Sequence, residues 1–316
     1  MAFPAQEATQ KIVPHLWFDQ EALEAAEFYA SIFPQSSVIH VATLRDTPSG
    51  DVSVVSFQLW GQRFQAINGG PTYRFNPSIS FIVNFDPLFF GSSSTPKQAA
   101  KARLLEAWEQ LSDGGTALMP LDRYPFSECF GWIQDRYGVS WQLMLTNPEG
   151  DPRPPIVPCL LFTGANCGRA EEAIEFYLTA FRNSRRGSLL RYGAGQEPER
   201  EGTVMFADFM LEGVWLAAMD SALEHSFTFN EAVSFIVHCR DQQEIDHYWD
   251  RLSAVPEAEQ CGWLKDRYGV SWQIVPAVLD EMIRDPDPEK VARVTQAFLA
   301  MKKLDVAALE RAYRGA

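Results

Sequence analysis

GWIQDRYGVSWQLM at 131–144 returns as GWLKDRYGVSWQIV at 262–275, identical at 10 of 14 positions, and this recurrence decides how the chain has to be read. Three further pairs follow in the same order: VPHLWF (13–18) with VPCLLF (157–162), EAAEFYASIF (24–33) with EAIEFYLTAF (172–181), and FNPSISFIV (75–83) with FNEAVSFIV (229–237). Fixed order with changing spacing marks a duplicated unit whose loops have gained and lost residues, loops being where backbone burial is least. Between the copies TNPEGDPRPP (146–155) is too rich in proline and glycine to continue a strand or helix and reads as a linker. The division expected is a first domain over 1–148, a second over 149–278 and a C-terminal helical extension over 279–316.

Period and punctuation give the same element order in each half. Ile12 to Phe18 is a short apolar run; Ala25, Phe28, Tyr29, Ile32 and Phe33 then fall on one face of a helix that Pro34 ends. Ala173, Phe176, Tyr177, Ala180 and Phe181 repeat that face. Strand-like stretches follow near 37–45, 52–60 and 63–68, and the cycle restarts with a strand at 78–84, a helix at 98–111 stopped by Gly114 and Gly115, and strands near 116–121, 128–135 and 139–145. The chain is thus expected to be α+β, built of tandem paired βαβββ modules: two repeats plus C-terminal helices. In the tail Asp287 and Pro288 read as N-cap and first helical residue, with Val291, Val294, Phe298 and Met301 along one side, and Asp305 can cap a second short helix. Such a face covers either a domain surface or a partner subunit, the second making a homodimer.

A composition of 46% hydrophobic and 13% aromatic residues over 316 positions supplies a core for each half. No window approaches the roughly 18 apolar residues of a bilayer span, and MAFPAQEATQK has neither the basic head nor the apolar core of a signal peptide, so a cytoplasmic protein without a membrane partner is expected. Cys129, Cys159, Cys167, Cys239 and Cys261 are odd in number and form no CxxC pair, which argues against a disulfide framework and a structural zinc site. The net charge of -14 repels phosphate backbones, so nucleic acid is excluded as a partner.

The EAxEFYxxxF helix after a first strand, the FNxxxSFIV strand and GWxxDRYGVSWQ at the last hairpin resemble the PhnB-like branch of the glyoxalase/bleomycin-resistance, or vicinal-oxygen-chelate, superfamily. That branch often carries the name 3-demethylubiquinone-9 3-methyltransferase. The similarity covers roughly residues 10 to 145 and 155 to 276, and DPDPEKVARV and MKKLDVAALERAY in the tail also resemble the extension of such proteins. The resemblance implies paired βαβββ modules whose sheets curl around a cavity, with inward residues of the first, fourth, fifth and eighth strands commonly holding a divalent metal. Carried over position by position, these places are His15, Asn68, Ser80 and Gln142 in the first half, and Cys159, Asp220, Ser234 and Gln273 in the second. Metal-dependent members have His and Glu there. The first set offers one good ligand, and the second a carboxylate and a thiol beside a hydroxyl and a neutral amide. No cofactor is expected; a divalent metal, if bound, would take His15 or Asp220. Methyltransferase activity is not expected either, because the common S-adenosylmethionine site needs a strand, a glycine-rich turn and a helix N-terminus in a doubly wound sheet. Gly193 and Gly195 sit in a polar loop, Gly114 and Gly115 end a helix, and Gly69 and Gly70 precede a proline.

Strand alternation adds Trp17 to His15, Ile82 and Asn84 to Ser80, Ile236 and His238 to Ser234, and Ser140 and Met144 to Gln142. One cavity is therefore expected in each half: His15, Trp17, Asn68, Ser80 and Gln142 in the first, and Cys159, Asp220, Ser234, His238 and Gln273 in the second. Such a mixed lining suits a small-molecule ligand. Core packing accounts equally for a lone histidine and for the repeated Trp132, Trp141, Trp263 and Trp272, and Asp-capped turns with surface ion pairs account for Asp135–Arg136 and Asp266–Arg267. Gln142 and Gln273, buried in mid-strand, need partners for both ends of the amide. Asp220, inside an apolar barrel, must be paired or carry a raised pKa suited to proton transfer; with His238 and Cys261 it makes the catalytic set if the second half holds the chemistry. Three readings follow: a small-molecule-binding protein without chemistry, an enzyme of isomerase, lyase or oxygenase type with one active half, and a structural dimeric scaffold with filled cores.

Overall fold

Alternating burial along the strands and the Pro-, Gly- and Asp-marked ends of the helices turn the sequence pattern into a regular succession of elements. A computed structural model describes residues 10–47, 50–91, 95–147 and 152–315; the boundary expected at 148–149 lies outside the described residues. The first half forms β1 (Ile12–Phe18), α1 (Ala22–Ile32), β2 (Ser37–Thr47), β3 (Gly50–Leu59), β4 (Gln62–Asn68), β5 (Ile79–Phe85), α2 (Pro96–Ser112), β6 (Thr116–Tyr124), β7 (Ser127–Gln134) and β8 (Ser140–Leu145). The second forms β9 (Ile156–Phe162), α3 (Ala170–Ala180), β10 (Arg185–Arg191), β11 (Val204–Leu211), β12 (Val214–Asp220), β13 (Val233–Cys239), α4 (Gln242–Leu252), β14 (Trp263–Lys265) and β15 (Ser271–Pro276). The tail adds α5 (Ala277–Ile283), α6 (Pro288–Leu299) and α7 (Val306–Arg314), with Asp287 and Asp305 accepting capping hydrogen bonds from the first turns of α6 and α7.

The last module is one strand short of its counterpart. Where the second module has β6, the chain after α4 makes only a 3-10 turn, Pro256–Ala258. The tail closes over this point: the N–H groups of Cys261 and Gly262 donate to the carbonyls of Met301 and Lys302, each at 2.8 Å.

The sheets do not follow the halves. One is seven-stranded in the order β14-β15-β13-β1-β4-β3-β2; the other is eight-stranded in the order β10-β11-β12-β9-β5-β8-β7-β6. The first module of the first half thus joins the last module of the second half through the antiparallel pair β1–β13, and the two middle modules join through β5–β9. Each sheet is mixed, with the parallel pairs β1–β4 and β13–β15 in one and β5–β8 and β12–β9 in the other.

The helix-covered faces of both sheets meet in one continuous core. Tyr29 and Phe33 of the α1 region pack on Trp141 of β8, with ring centroids 5.0 and 5.3 Å apart, and Phe181 packs on Trp272 of β15 at 5.2 Å. Phe64 and Phe81 meet directly between the sheets at 5.2 Å. The repeated motif locks this core. Asp266 is fully buried and accepts from the Tyr177 hydroxyl (2.7 Å), Trp272 Nε1 (2.9 Å) and the N–H groups of Tyr268 and Val270. Asp135 does the same for Trp141 Nε1, Tyr137 N–H and Val139 N–H. Gly138 and Gly269 complete the turns at φ +91° and +90°, which only glycine adopts without strain. The capped turns are as expected, but these aspartates were also expected at the surface in ion pairs. They are instead interior acceptors, and Arg136 and Arg267 lie over the rings of Phe28 and Phe176 at 4.0 and 4.3 Å.

Candidate functional site

Each sheet has a second face turned away from the shared core, and strand pairing fixes which side chains reach it. On the seven-stranded sheet His15 stands opposite Ser234 on β13 and Gln65 on β4, while Trp17 stands opposite Ile67 and Ile236 opposite Gln273. On the eight-stranded sheet Cys159 stands opposite Ser80 on β5 and Ala217 on β12, and Gln142 opposite Ile82 and Trp132. Two pseudo-equivalent groups result, His15–Ser234–Gln273 and Cys159–Ser80–Gln142, and each draws on both halves. The expectation of one cavity per half is corrected accordingly, since sheets that pair the outer two modules with each other and the middle two with each other separate His15 from Ser80 and Gln142, and Cys159 from Ser234 and Gln273.

The glutamines are satisfied in the same way in both groups. Gln142 Nε2 donates to Ser80 Oγ at 2.8 Å, and Gln273 Nε2 donates to Ser234 Oγ at 3.0 Å, each tying together two parallel strands. In the first group Ser234 Oγ lies 3.4 Å from His15 Nδ1, and Trp263 meets the imidazole edge-on at 5.5 Å. Burial lowers the His15 pKa from 6.5 to about 3, so this imidazole is neutral and too weakly basic to activate the serine at neutral pH. In the second group burial pushes the Cys159 thiol up to about 12, which keeps it protonated. Neither group is a primed nucleophile.

Asn68 and Asp220 belong elsewhere. They end β4 and β12 opposite Phe18 and Phe162, on the helix-covered side. Asn68 Oδ1 accepts from Ala22 N–H at 2.8 Å, at the start of α1. Asp220 Oδ1 accepts from Gly168 and Ala170 N–H at 2.7 and 3.2 Å before α3, and its Oδ2 accepts from Val204 N–H at 2.9 Å. Burial raises the Asp220 pKa against the opposing pull of these backbone donors. The assigned register was one residue out, and a one-residue slip moves a side chain to the other face. The true inward neighbours are Gln65 and Ile67 in β4, and Ala217 and Met219 in β12.

The set Asp220, His238 and Cys261 is likewise not assembled. His238 lies on the inner face of the seven-stranded sheet, 3.7 Å from Asp280 of α5, with its pKa lowered by burial more than the nearby carboxylate raises it. Cys261 lies in the turn before β14, its Sγ against the carbonyl of Leu299. Asp220 is on the other sheet, on its opposite face.

The two inner faces differ in what covers them. Over the seven-stranded sheet, α5 and α6 pack against Val275, His238 and the edge strand β2, and Arg284 reaches Ser56 Oγ at 3.4 Å. On the eight-stranded sheet the apolar cluster is made of strand residues alone: Ile82, Val157, Cys159, Trp215 and Ala217 are buried, and Met144, Phe206, Met210 and Met219 are partly exposed around them. The repeated tryptophans divide between the faces. Trp141 and Trp272 are core, whereas Trp132, held by Ser140 Oγ at 2.7 Å, and Trp263 face inward.

The donor sets do not fit the divalent metal implied by the resemblance. Among the described residues no three His, Cys, Asp or Glu side chains converge, and each inner group offers one imidazole or one neutral thiol beside a hydroxyl and an amide. No helix among the described residues is long and apolar enough to cross a membrane.

The family described as 3-demethylubiquinone-9 3-methyltransferase matches residues 10–144 and 154–275. Among solved structures, a Bacillus cereus PhnB protein is 32% identical over 43% of this chain and 100% of its own, with a TM-score of 0.35. Protein PA1353 from Pseudomonas aeruginosa is 22% identical over 44% of this chain and 98% of its own, with a TM-score of 0.35. Glyoxalase I from Zea mays is 13% identical over 85% of this chain and 95% of its own, with a TM-score of 0.49. Among curated proteins none matches.

Proposed function

Because the chain belongs to the 3-demethylubiquinone-9 3-methyltransferase family, whose match spans both repeats, and has one inner sheet face whose apolar cluster is made of strand residues with no helix among them, we propose that it binds a small organic molecule on that face of the eight-stranded sheet. The observation that carries the reading is the half-exposed rim of Met144, Phe206, Met210 and Met219 around the buried polar centre of Gln142, Ser80 and Cys159. Methionine side chains adapt to irregular apolar shapes, Trp132 supplies a flat surface, and a few converging polar groups fix orientation. Binding proceeds without a metal, since Gln142, Ser80 and Cys159 are neutral and the carboxylate of the same face, Asp208, is paired with Arg153. Transfer of a methyl group is not part of the reading: both sheets are mixed assemblies of βαβββ modules, without the doubly wound parallel order that carries a nucleotide at a helix N-terminus.

The test is methyl NMR of protein labelled at the methionine methyls and titrated with a set of small aromatic compounds. Saturable shifts confined to Met144, Met210 and Met219 are expected. Shifts that instead follow the surroundings of Trp17 and Trp263, or no saturable shift with any compound, would end the reading.

A further inference from the structure

A cleft of about 280 Å³ runs between the edge strand β2 and the tail, walled on the strand by His40, Ala42 and Arg45 and on the tail by Arg284, Pro288 and Val291. Its charge is unbalanced. Asp285, the carboxylate at its side, is already engaged: its Oδ2 accepts from the Tyr313 hydroxyl and from Lys290 Nζ, and its Oδ1 accepts from Asp287 N–H at 2.8 Å. Arg284 donates only to Ser56 Oγ, at 3.4 Å, and among the described residues neither Arg284 nor Arg45 has a carboxylate partner. Two guanidinium groups therefore share one small cleft in a chain whose net charge is -14. Like charges held together without a counterion repel, and a guanidinium fork matches the geometry of an oxyanion.

We propose that this cleft binds a small oxyanion, a carboxylate or phosphate group on a short apolar stem, bridging Arg45 of the sheet and Arg284 of the tail. Ala42, Pro288 and Val291 receive the stem, and the arginines receive the charge. The site is separate from the inner face of the eight-stranded sheet and stands or falls independently of it. Since its two arginines come from separate elements, the bound anion also fastens the tail to β2.

Inorganic phosphate and succinate, titrated in turn into the full chain at constant ionic strength set with chloride, distinguish the two sources of the oxyanion. At least one of them is expected to bind saturably by calorimetry and to slow amide exchange over residues 283–292. Arg45→Gln and Arg284→Gln should each weaken that binding about tenfold or more, with Arg123→Gln, an exposed arginine of β6, leaving it unchanged. Binding of phosphate alone identifies a phosphate ester, of succinate alone a carboxylate, and of both an oxyanion in general. Absence of saturable binding for both, or binding that survives both substitutions, overturns the proposal.

Discussion

The imidazole Nδ1 of His15 and the hydroxyl of Ser234 stand 3.4 Å apart although 219 residues separate them in the chain. Ser80 and Cys159 repeat the relationship across β5–β9. Both contacts cross between the halves, so the centre of each sheet is a joint product of the duplication.

His15 gives the first prediction. Its folded pKa of about 3 lies below the ordinary histidine value of 6.5, so on acidification the unfolded chain takes up a proton that the native state refuses. The stability that this residue contributes is complete above pH 6.5 and is lost as pH falls toward 3, at about 1.4 kcal/mol per pH unit. Urea unfolding at pH 7 and pH 5 should therefore show a stability loss about 2 kcal/mol larger for the wild type than for His15→Gln. Equal losses would mean that the imidazole is solvated.

Asp220→Asn is expected to lower stability by about 1–2 kcal/mol, because the amide cannot accept from Val204 N–H while still capping the turn before α3. Ligand binding to the inner face should persist, since Asp220 lies on the other side of the sheet. Chemical unfolding and calorimetry on the same variant separate the two effects. A folded variant that no longer binds would return Asp220 to the site.

Ala217 sits beside Cys159 on the inner face and is surrounded by the methionine rim. Ala217→Trp should fill the proposed site and weaken binding of any aromatic hit at least about tenfold, while far-UV circular dichroism stays native. Retained affinity in the folded variant would place the ligand elsewhere.

A chain of residues 1–148 alone leaves β1 and β5 without their antiparallel partners β13 and β9. The same pairing is available between two copies, β1 of one with β5 of the other, so light scattering should report a dimer. A stable monomer would show that the halves close on themselves.

The repeat, the helix faces, the strand spans and the caps of α6 and α7 were legible because each rests on local spacing. The partner of each module was not, because β1 and β9 pair equally well with β5 or β13 as far as sequence can tell: FNPSISFIV and FNEAVSFIV present the same pattern. The placement of Asn68 and Asp220 failed for a different reason. Both end their strands, where alternation runs out and side chains turn to the start of the helix earlier in the same module, and strands such as IVPCLLF are buried on both faces, so burial gives no parity to count from. Met144 follows from Gln142 by alternation, whereas the inward residues Met210, Met219 and Trp215 carry no motif. They become visible only once the strands are in register.

The eight-stranded sheet, β5 to β12, is drawn from one uninterrupted stretch, Ile79 to Asp220, and the seven-stranded sheet from what flanks it. Genetic exchange acts on contiguous stretches, so this layout sets which hybrids of related chains stay coherent. A crossover at the midpoint of the duplication makes both sheets mosaics of two parents. A pair of crossovers just before Ile79 and just after Asp220 transplants one complete sheet, with α2 and α3, as a cassette, and leaves the recipient's seven-stranded sheet and tail entirely its own.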